Sequence, residues 1–342
     1  MKKRTLRLTL IALLLPLMLF AGSCGGGGGG DDTSYITVYV GRSAQLVGPL
    51  LEQFARDTGI KIRVRYGDGT ELALGILEEG KNSPVDVYYG QDVGALGALR
   101  ADGRLAKLPD NLLNQVPSQF RAPDGLWVGT SGRSRVIVYN TDALKPENLP
   151  SSILDYTDPR WKDKLGIVPR SDGFPEFVTA LRVTKGEAFA KDWLTKLKAN
   201  NPRVYGNNLA ALQATANRDI EVSFLNHYYL YRFLAEEGEG FKARNYYFEN
   251  GDLGGLFLVS GAGVLDSATN PEGARRFIAY LLEESSQEYF AAETHEYPLV
   301  EGVTSGAELP ALSTLTTPAI DLADIQDLRG SLDLMRATGI IP

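Results

Sequence analysis

The sequence predicts an α/β protein of two lobes, each built on a mixed sheet and joined by crossing hinge strands. Three observations lead there. After residue 34, segments with the two-residue period of strands alternate with segments of helical period. The two α/β halves meet through strand-like segments, with no loose linker, internal repeat or low-complexity stretch between them. The 342 residues, 44% hydrophobic and 23% charged, have globular composition and a length that suits about two domains of roughly 150 residues each.

The first residues stand apart. Lys2, Lys3, Arg4 and Arg7 form a basic start, residues 8–20 are almost wholly apolar, and Ala21-Gly22-Ser23 lead to Cys24. A charged start, a short apolar core and small residues before a cut site make residues 1–23 a secretory signal. Ending on the only cysteine, it resembles a lipoprotein signal, with Cys24 acylated as the first mature residue; the plainer alternative is a signal peptide with an incidental cysteine. Glycines 25–30 and Asp31-Asp32 follow, so residues 24–34 read as a flexible tether.

Residues 35–40 (YITVYV) form a buried strand, and Leu46, Leu50, Leu51 and Phe54 mark a helix over 45–57 that Gly59 ends. Ile60, Ile62, Val64 and Tyr66 alternate as a strand. Gly67-Asp68-Gly69 turns into a helix over 71–79, and a strand at 86–89 precedes a helix over 93–101. Such alternation is the pattern of a parallel α/β sheet. Strands follow at 135–139 and 167–168, and Phe189, Trp193, Leu194 and Leu197 mark a helix face. A helix over 208–218 and strands at 221–224 and 256–259 come next. Asn270 and Pro271 start a last helix whose stripe is Ala274, Phe277, Ile278, Leu281 and Leu282. The chain is expected to cross between lobes near 133–139 and 256–259, with a ligand cleft that closes by hinge motion.

Composition bounds the chemistry. The net charge is −7, about −11 once the signal's four basic residues are removed, which argues against a nucleic-acid partner. Two histidines, His227 and His295, and no cysteine beyond Cys24 leave no basis for a zinc or copper site of nitrogen and sulfur ligands. Any tight metal site must be built from oxygen. No phosphate-binding loop, dinucleotide fingerprint, zinc-protease motif or nucleophile elbow is present, so a secreted hydrolase is the least supported class.

The segments YITVYVGRS, PVDVYYGQD, SGRSRVIVYNT, LDYTDPRWKDKLGIVP, LNHYYLYR and SGAGVL, in this order, resemble the periplasmic ferric-ion-binding proteins of ABC importers, from residue 35 to the C-terminus. The resemblance implies a type II periplasmic-binding fold, taken here as an N-lobe of residues 35–133 and 259–308 and a C-lobe of 134–258 and 309–342. It implies an exported, lipid-anchored monomer that is not an enzyme and that delivers Fe(III) to a permease and its ATPase. Tyr228 and Tyr229 fall on the phenolate ligands. Ser171, Asp172, Gly173, Asn208 and Asn226 fall on the contacts to a synergistic carbonate or phosphate, and Arg133, less surely Arg135, on a cleft arginine. The sequence departs from the family pattern at Ser43 and Gln91, where many members carry His and Glu ligands, and at Phe174, where another branch supplies a tyrosine.

The residues themselves support parts of this. Ferric ion favours anionic oxygen, and a tripositive charge can strip the proton from a phenol of pKa about 10. Neighbours in mid-helix point about 100° apart; a pair in the first turn after a strand, with Asn226 as N-cap, could converge. Packing of both rings into the core is the alternative. Ser171-Asp172-Gly173 before a helix suits an anion, although Asp172 could cap that helix or ligate metal itself. Arg133 could fork onto the anion or form a surface ion pair. Arg42, Ser43 and Gln91 follow strand ends, where open α/β sheets place ligands, and are expected to line the cleft. The same fold could instead hold an organic or phosphorylated solute such as a polyamine, thiamine, a phosphonate or a sugar phosphate.

Overall fold

The computed structural model describes residues 35–171, 173–306 and 309–342. The expected signal peptide, Cys24, the tether and Asp172 lie outside them. The chain runs β1 (Tyr35–Gly41), α1 (Ala44–Thr58), β2 (Lys61–Tyr66), α2 (Gly69–Glu79), β3 (Val87–Gly90), α3 (Val93–Ala101), β4 (Leu105–Ala106), α4 (Asp110–Leu113) and β5 (Val128–Asn140). It continues with β6 (Leu165–Ile167), α5 (Phe174–Lys185), α6 (Glu187–Ala199), β7 (Arg203–Val204), α7 (Asn208–Ala216), β8 (Val222–Asn226), α8 (Tyr229–Glu237) and β9 (Ala243–Tyr246). The last elements are β10 (Phe257–Leu265), α9 (Pro271–Leu281), α10 (Glu284–Glu293), β11 (Tyr297–Pro298) and α11 (Leu328–Ala337).

The strands share one hydrogen-bonded path, β2-β1-β3-β10-β5-β8-β6-β7, with β4 on β10 and with β9 and β11 on β5. β1 is parallel to β2 and β3, and β10 is antiparallel to β3 and β5, which makes the sheet mixed. β5 carries the path from one half to the other. Up to Ser134 it pairs with β10, and from Arg135 onward with β8 and β9.

All of β5 is buried, yet only its RVIVY part reads as strand in the sequence. Its first half, VGTSGRS, is broken by two glycines because packing leaves no room there: a Cβ on Gly132 would run into the Phe257 ring, and one on Gly129 into the Phe120 carbonyl. Three other expectations need correction. Val64 and Tyr66 alternate as predicted but are 37% and 40% exposed, because β2 is an edge strand. Phe189 is on α6 but 40% exposed, with Ala190 buried in its place. In α1, Val47 joins the core while Leu46 is half-buried and faces a cleft. The α9 start is as predicted: the Asn270 side chain accepts a hydrogen bond from the Gly273 amide at 2.9 Å.

Sequence reasoning did not foresee α11. It packs on α5 through a Thr179–Ser331 hydroxyl contact of 2.7 Å and buries Leu334 and Met335. The outcome positions three kinds of feature around one opening: the loops after β1 and β3, the starts of α5 and α8, and the edge of α11.

Candidate functional site

β8 delivers the tyrosine pair. Its five residues are buried, and the chain turns into α8 directly after His227. Tyr228 occupies the cap position with helical backbone angles (φ −68°, ψ −21°), and Tyr229 is the first helical residue. The two side chains lie together, with ring centroids 4.3 Å apart. The Tyr228 hydroxyl donates to that of Tyr229 at 3.1 Å. Each phenol oxygen also accepts an amide N–H, from Asn226 Nδ2 at 3.4 Å and from Asn208 Nδ2 at 3.2 Å. Asn226 is therefore not the N-cap that the sequence suggested. It ends β8, and its side chain is shared between Tyr228 and Arg135 Nη1, which donates to Asn226 Oδ1 at 2.9 Å.

The pair can hold one small cation. Two oxygens about 2.0–2.1 Å from an octahedral hard ion, at right angles, are roughly 2.9 Å apart. The observed 3.1 Å is close to that edge.

A cavity of about 870 Å³ opens at the pair. Arg42, Ser43, Gln91, Ser171, Tyr228 and Tyr229 all line it, so the loops after β1 and β3 face the starts of α5 and α8. Arg133, Gly173, Asn208 and Asn226 do not line it; they lie behind the residues that do. Arg133 is fully buried, so the surface ion pair considered for it is excluded. Its Nη1 donates to the Gln91 backbone carbonyl, while Nε and Nη2 have no hydrogen-bond partner among the described residues.

The Gly173 amide donates to Glu176 Oε2 at 2.7 Å, closing the first turn of α5. Gly173 has φ +100°, and a Cβ there would meet Arg135 Nη1 and Asn226 Oδ1, each at 2.9 Å. Only glycine lets the chain pass this close to both. Ser171 Oγ donates to the Val168 carbonyl at 3.0 Å. Phe174 packs edge-on to Phe224 in the core.

Across the cleft, Arg42 is locked in place. Its guanidinium donates to Gln91 Oε1 at 3.0 Å, to Ser131 Oγ at 3.3 Å, to the Tyr89 hydroxyl and to Glu296 Oε2. Gln91 Nε2 donates in turn to Glu296 Oε1 at 3.3 Å. Glu296 is the residue that sequence reasoning missed here, and nothing local could have revealed it, because it lies 205 positions from Gln91. Glu176 and Arg232 also line the cleft unforeseen. Arg232 had a signal: it is one helical turn beyond the tyrosines.

Burial, with the neighbouring Tyr229, pushes the Tyr228 phenol well above its ordinary range, and Arg133 pulls the other way. Burial lowers Arg135 to about 9 against the pull of Glu176. Burial would raise Glu296, but Arg42 overcomes it and holds the carboxyl below its usual value. Burial also drives His227 down to about 4, so its ring is neutral. Nδ1 accepts the Ser134 amide at 3.2 Å and Nε2 donates to the His295 carbonyl at 2.8 Å. Both ring nitrogens are thus engaged with backbone and unavailable to a metal.

The family model for bacterial extracellular solute-binding proteins matches residues 82–327. The chain is 35% identical over 311 residues to the major ferric iron-binding protein of Neisseria meningitidis serogroup A, spanning 89% of this chain and 93% of that one. Iron-bound HitA from Pseudomonas aeruginosa superposes with a TM-score of 0.84 at 36% identity, covering 89% of this chain and 99% of its own. A Trichodesmium protein (IdiA, FutA) solved in complex with iron and citrate ligands gives 0.78 at 28% identity, with 89% and 99% covered.

Proposed function

The chain belongs to the bacterial extracellular solute-binding protein family, and from that premise we propose that it captures ferric iron at the β8–α8 junction and hands it to the permease of an ABC importer. The observation that carries this reading is the pair of phenol oxygens 3.1 Å apart on the wall of a cleft. Tyr228 and Tyr229 bind as phenolates, and the amides of Asn226 and Asn208 steady the charge on each oxygen. An anion completes the shell near Ser171, with carbonate and phosphate as the inorganic candidates. Arg133, buried and partly unpartnered, supplies positive charge that favours the Tyr228 phenolate. The Arg42–Gln91–Glu296 cluster forms the facing wall in place of further metal ligands.

The two halves of the sheet path close about the Ser134–Arg135 step of β5 and the Leu256–Phe257 step into β10, where the Arg135 amide donates to the Leu256 carbonyl at 2.9 Å. Among the described residues no helix is long and apolar enough to cross a membrane. Cys24 carries the lipid that holds the protein, a binder without catalytic activity, at the outer face of the cytoplasmic membrane. The printed names of the Neisseria relative, a ferric iron-binding protein, and of iron-bound HitA support ferric iron over an organic solute.

A thermal-shift panel tests the reading. Ferric salt with an anion, at about 100 times its Kd, should add about 2.7 kcal/mol of stability, with no comparable shift from thiamine, polyamines, phosphonates or sugar phosphates. A large shift with one of these solutes and none with iron would overturn it.

A further inference from the structure

Arg135 sits where a guanidinium is unfavourable. It is 1% exposed, does not line the cleft, and its Nε has no hydrogen-bond partner among the described residues. Burying such a group without full pairing costs stability. Strand register explains where it points. β5 and β8 are antiparallel, with Arg135 opposite Asn226 and Ile137 opposite Phe224. The side chains of Arg135, Asn226 and Phe224 therefore share one face of the sheet. The guanidinium lies over the Phe224 ring, with Cζ 4.1 Å from its centroid, and Nη2 donates to the Phe224 carbonyl at 2.8 Å. Held so, Nη1 reaches Asn226 Oδ1 at 2.9 Å.

That bond decides which way the Asn226 amide faces. A carboxamide accepts at one end and donates at the other. Turned over, Asn226 would present its carbonyl oxygen to Tyr228. A guanidinium carries donors only, so Arg135 admits one orientation, with Oδ1 toward itself and Nδ2 toward the Tyr228 hydroxyl, 3.4 Å away. The other tyrosine is served differently. The Asn208 amide that donates to Tyr229 has its Oδ1 3.5 Å from Ser171 Oγ, a hydroxyl that also donates to the Val168 carbonyl at 3.0 Å. A hydroxyl can donate or accept, so it enforces neither orientation.

We infer that Arg135 is a positioning residue of the metal site, which acts through Asn226 by holding that amide with its N–H toward the Tyr228 oxygen. The inference rests on the reading of Tyr228 and Tyr229 as iron ligands. An N–H facing the iron-bound phenolate stabilises its charge, whereas a carbonyl oxygen there repels it. Arg133 provides the contrast, since it bears on Tyr228 through its charge. The visible tyrosinate-to-iron band is a charge transfer out of the phenolate. A hydrogen bond to that oxygen stabilises the donor and moves the band to shorter wavelength.

The test loads the full mature protein and its variants with ferric ion at one fixed bicarbonate concentration. It reads the position of the band, and the iron affinity by competition with a chelator. R135M, which has no donor, should move the band to longer wavelength and hold iron about ten- to hundredfold more weakly, the range for a hydrogen bond to a charged group. R135K keeps a donor and the charge and should fall between. N226A should reproduce the R135M shift, and R135M/N226A should add nothing to N226A. A merely structural role would lower stability in urea melts without moving the band. If R135M does not fold, R135K and R135K/N226A make the same comparison. A wild-type band and affinity in R135M overturn the inference and leave the iron reading standing. A further shift from R135M in the N226A background also overturns it, because the guanidinium then acts by its own charge. A wild type that never colours overturns both.

Discussion

At the residue scale, the proposed iron site requires that a cation drive the proton off Tyr228, a phenol that burial keeps protonated. Tyr228 sits well above its ordinary range without a cation, so binding must expel its proton. Two phenolates imply about two protons released per ferric ion in a weakly buffered titration, and an affinity that weakens by about a hundredfold for each unit of falling pH. Release near zero would contradict the ligand assignment. His227 works in the opposite sense. Its folded value of about 4 lies below the ordinary 6.5, so the unfolded chain takes up a proton that the folded chain refuses. Its contribution is whole above pH 6.5 and is lost as pH falls toward 4, by about 3 kcal/mol in all. His227→Gln, which can still accept from Ser134 and donate to His295, should flatten that part of the pH–stability curve in urea melts. The tyrosine pair was legible in the sequence because it is adjacent. The resemblance placed Asn226 and Asn208 among the anion contacts, and in the structure their side-chain amides donate to the phenol oxygens.

At the element scale, the strands and helices with strong periodicity were legible, and those that depend on distant partners were not. RVIVY announced only the half of β5 that pairs with β8 and β9. The glycines of its other half are dictated by Phe257 and Leu299, residues far along the chain that press on Gly132. The return of residue 296 to Arg42 is of the same kind, since no local pattern marks it. That return has a measurable weight. Arg42 and Glu296 form a buried ion pair, and removing one partner strands the other charge. Glu296→Ala should cost about 3–5 kcal/mol in urea unfolding, with the midpoint moving and the slope held. A cost below about 1 kcal/mol would mean that water reaches Arg42.

At the scale of the whole molecule, the mixed sheet places two walls around one opening, as a binding cleft requires. The net charge of −7 over the whole chain disfavours adhesion to anionic lipid. The lobed α/β plan followed from the alternation of elements. The wall made by α11 did not, because an amphipathic helix at the end of a chain does not say what it packs against. The central claim is that Tyr228 and Tyr229 together bind ferric iron. Titration of the apo protein with ferric ion, followed at the visible tyrosinate-to-iron band, tests it most directly. The account predicts a coloured complex at one equivalent in the wild type, and in Tyr228→Phe and Tyr229→Phe a lost or much reduced band with iron held more than about a hundredfold more weakly. A wild type that stays colourless, or a Tyr228→Phe/Tyr229→Phe variant that colours as strongly as the wild type, would contradict it.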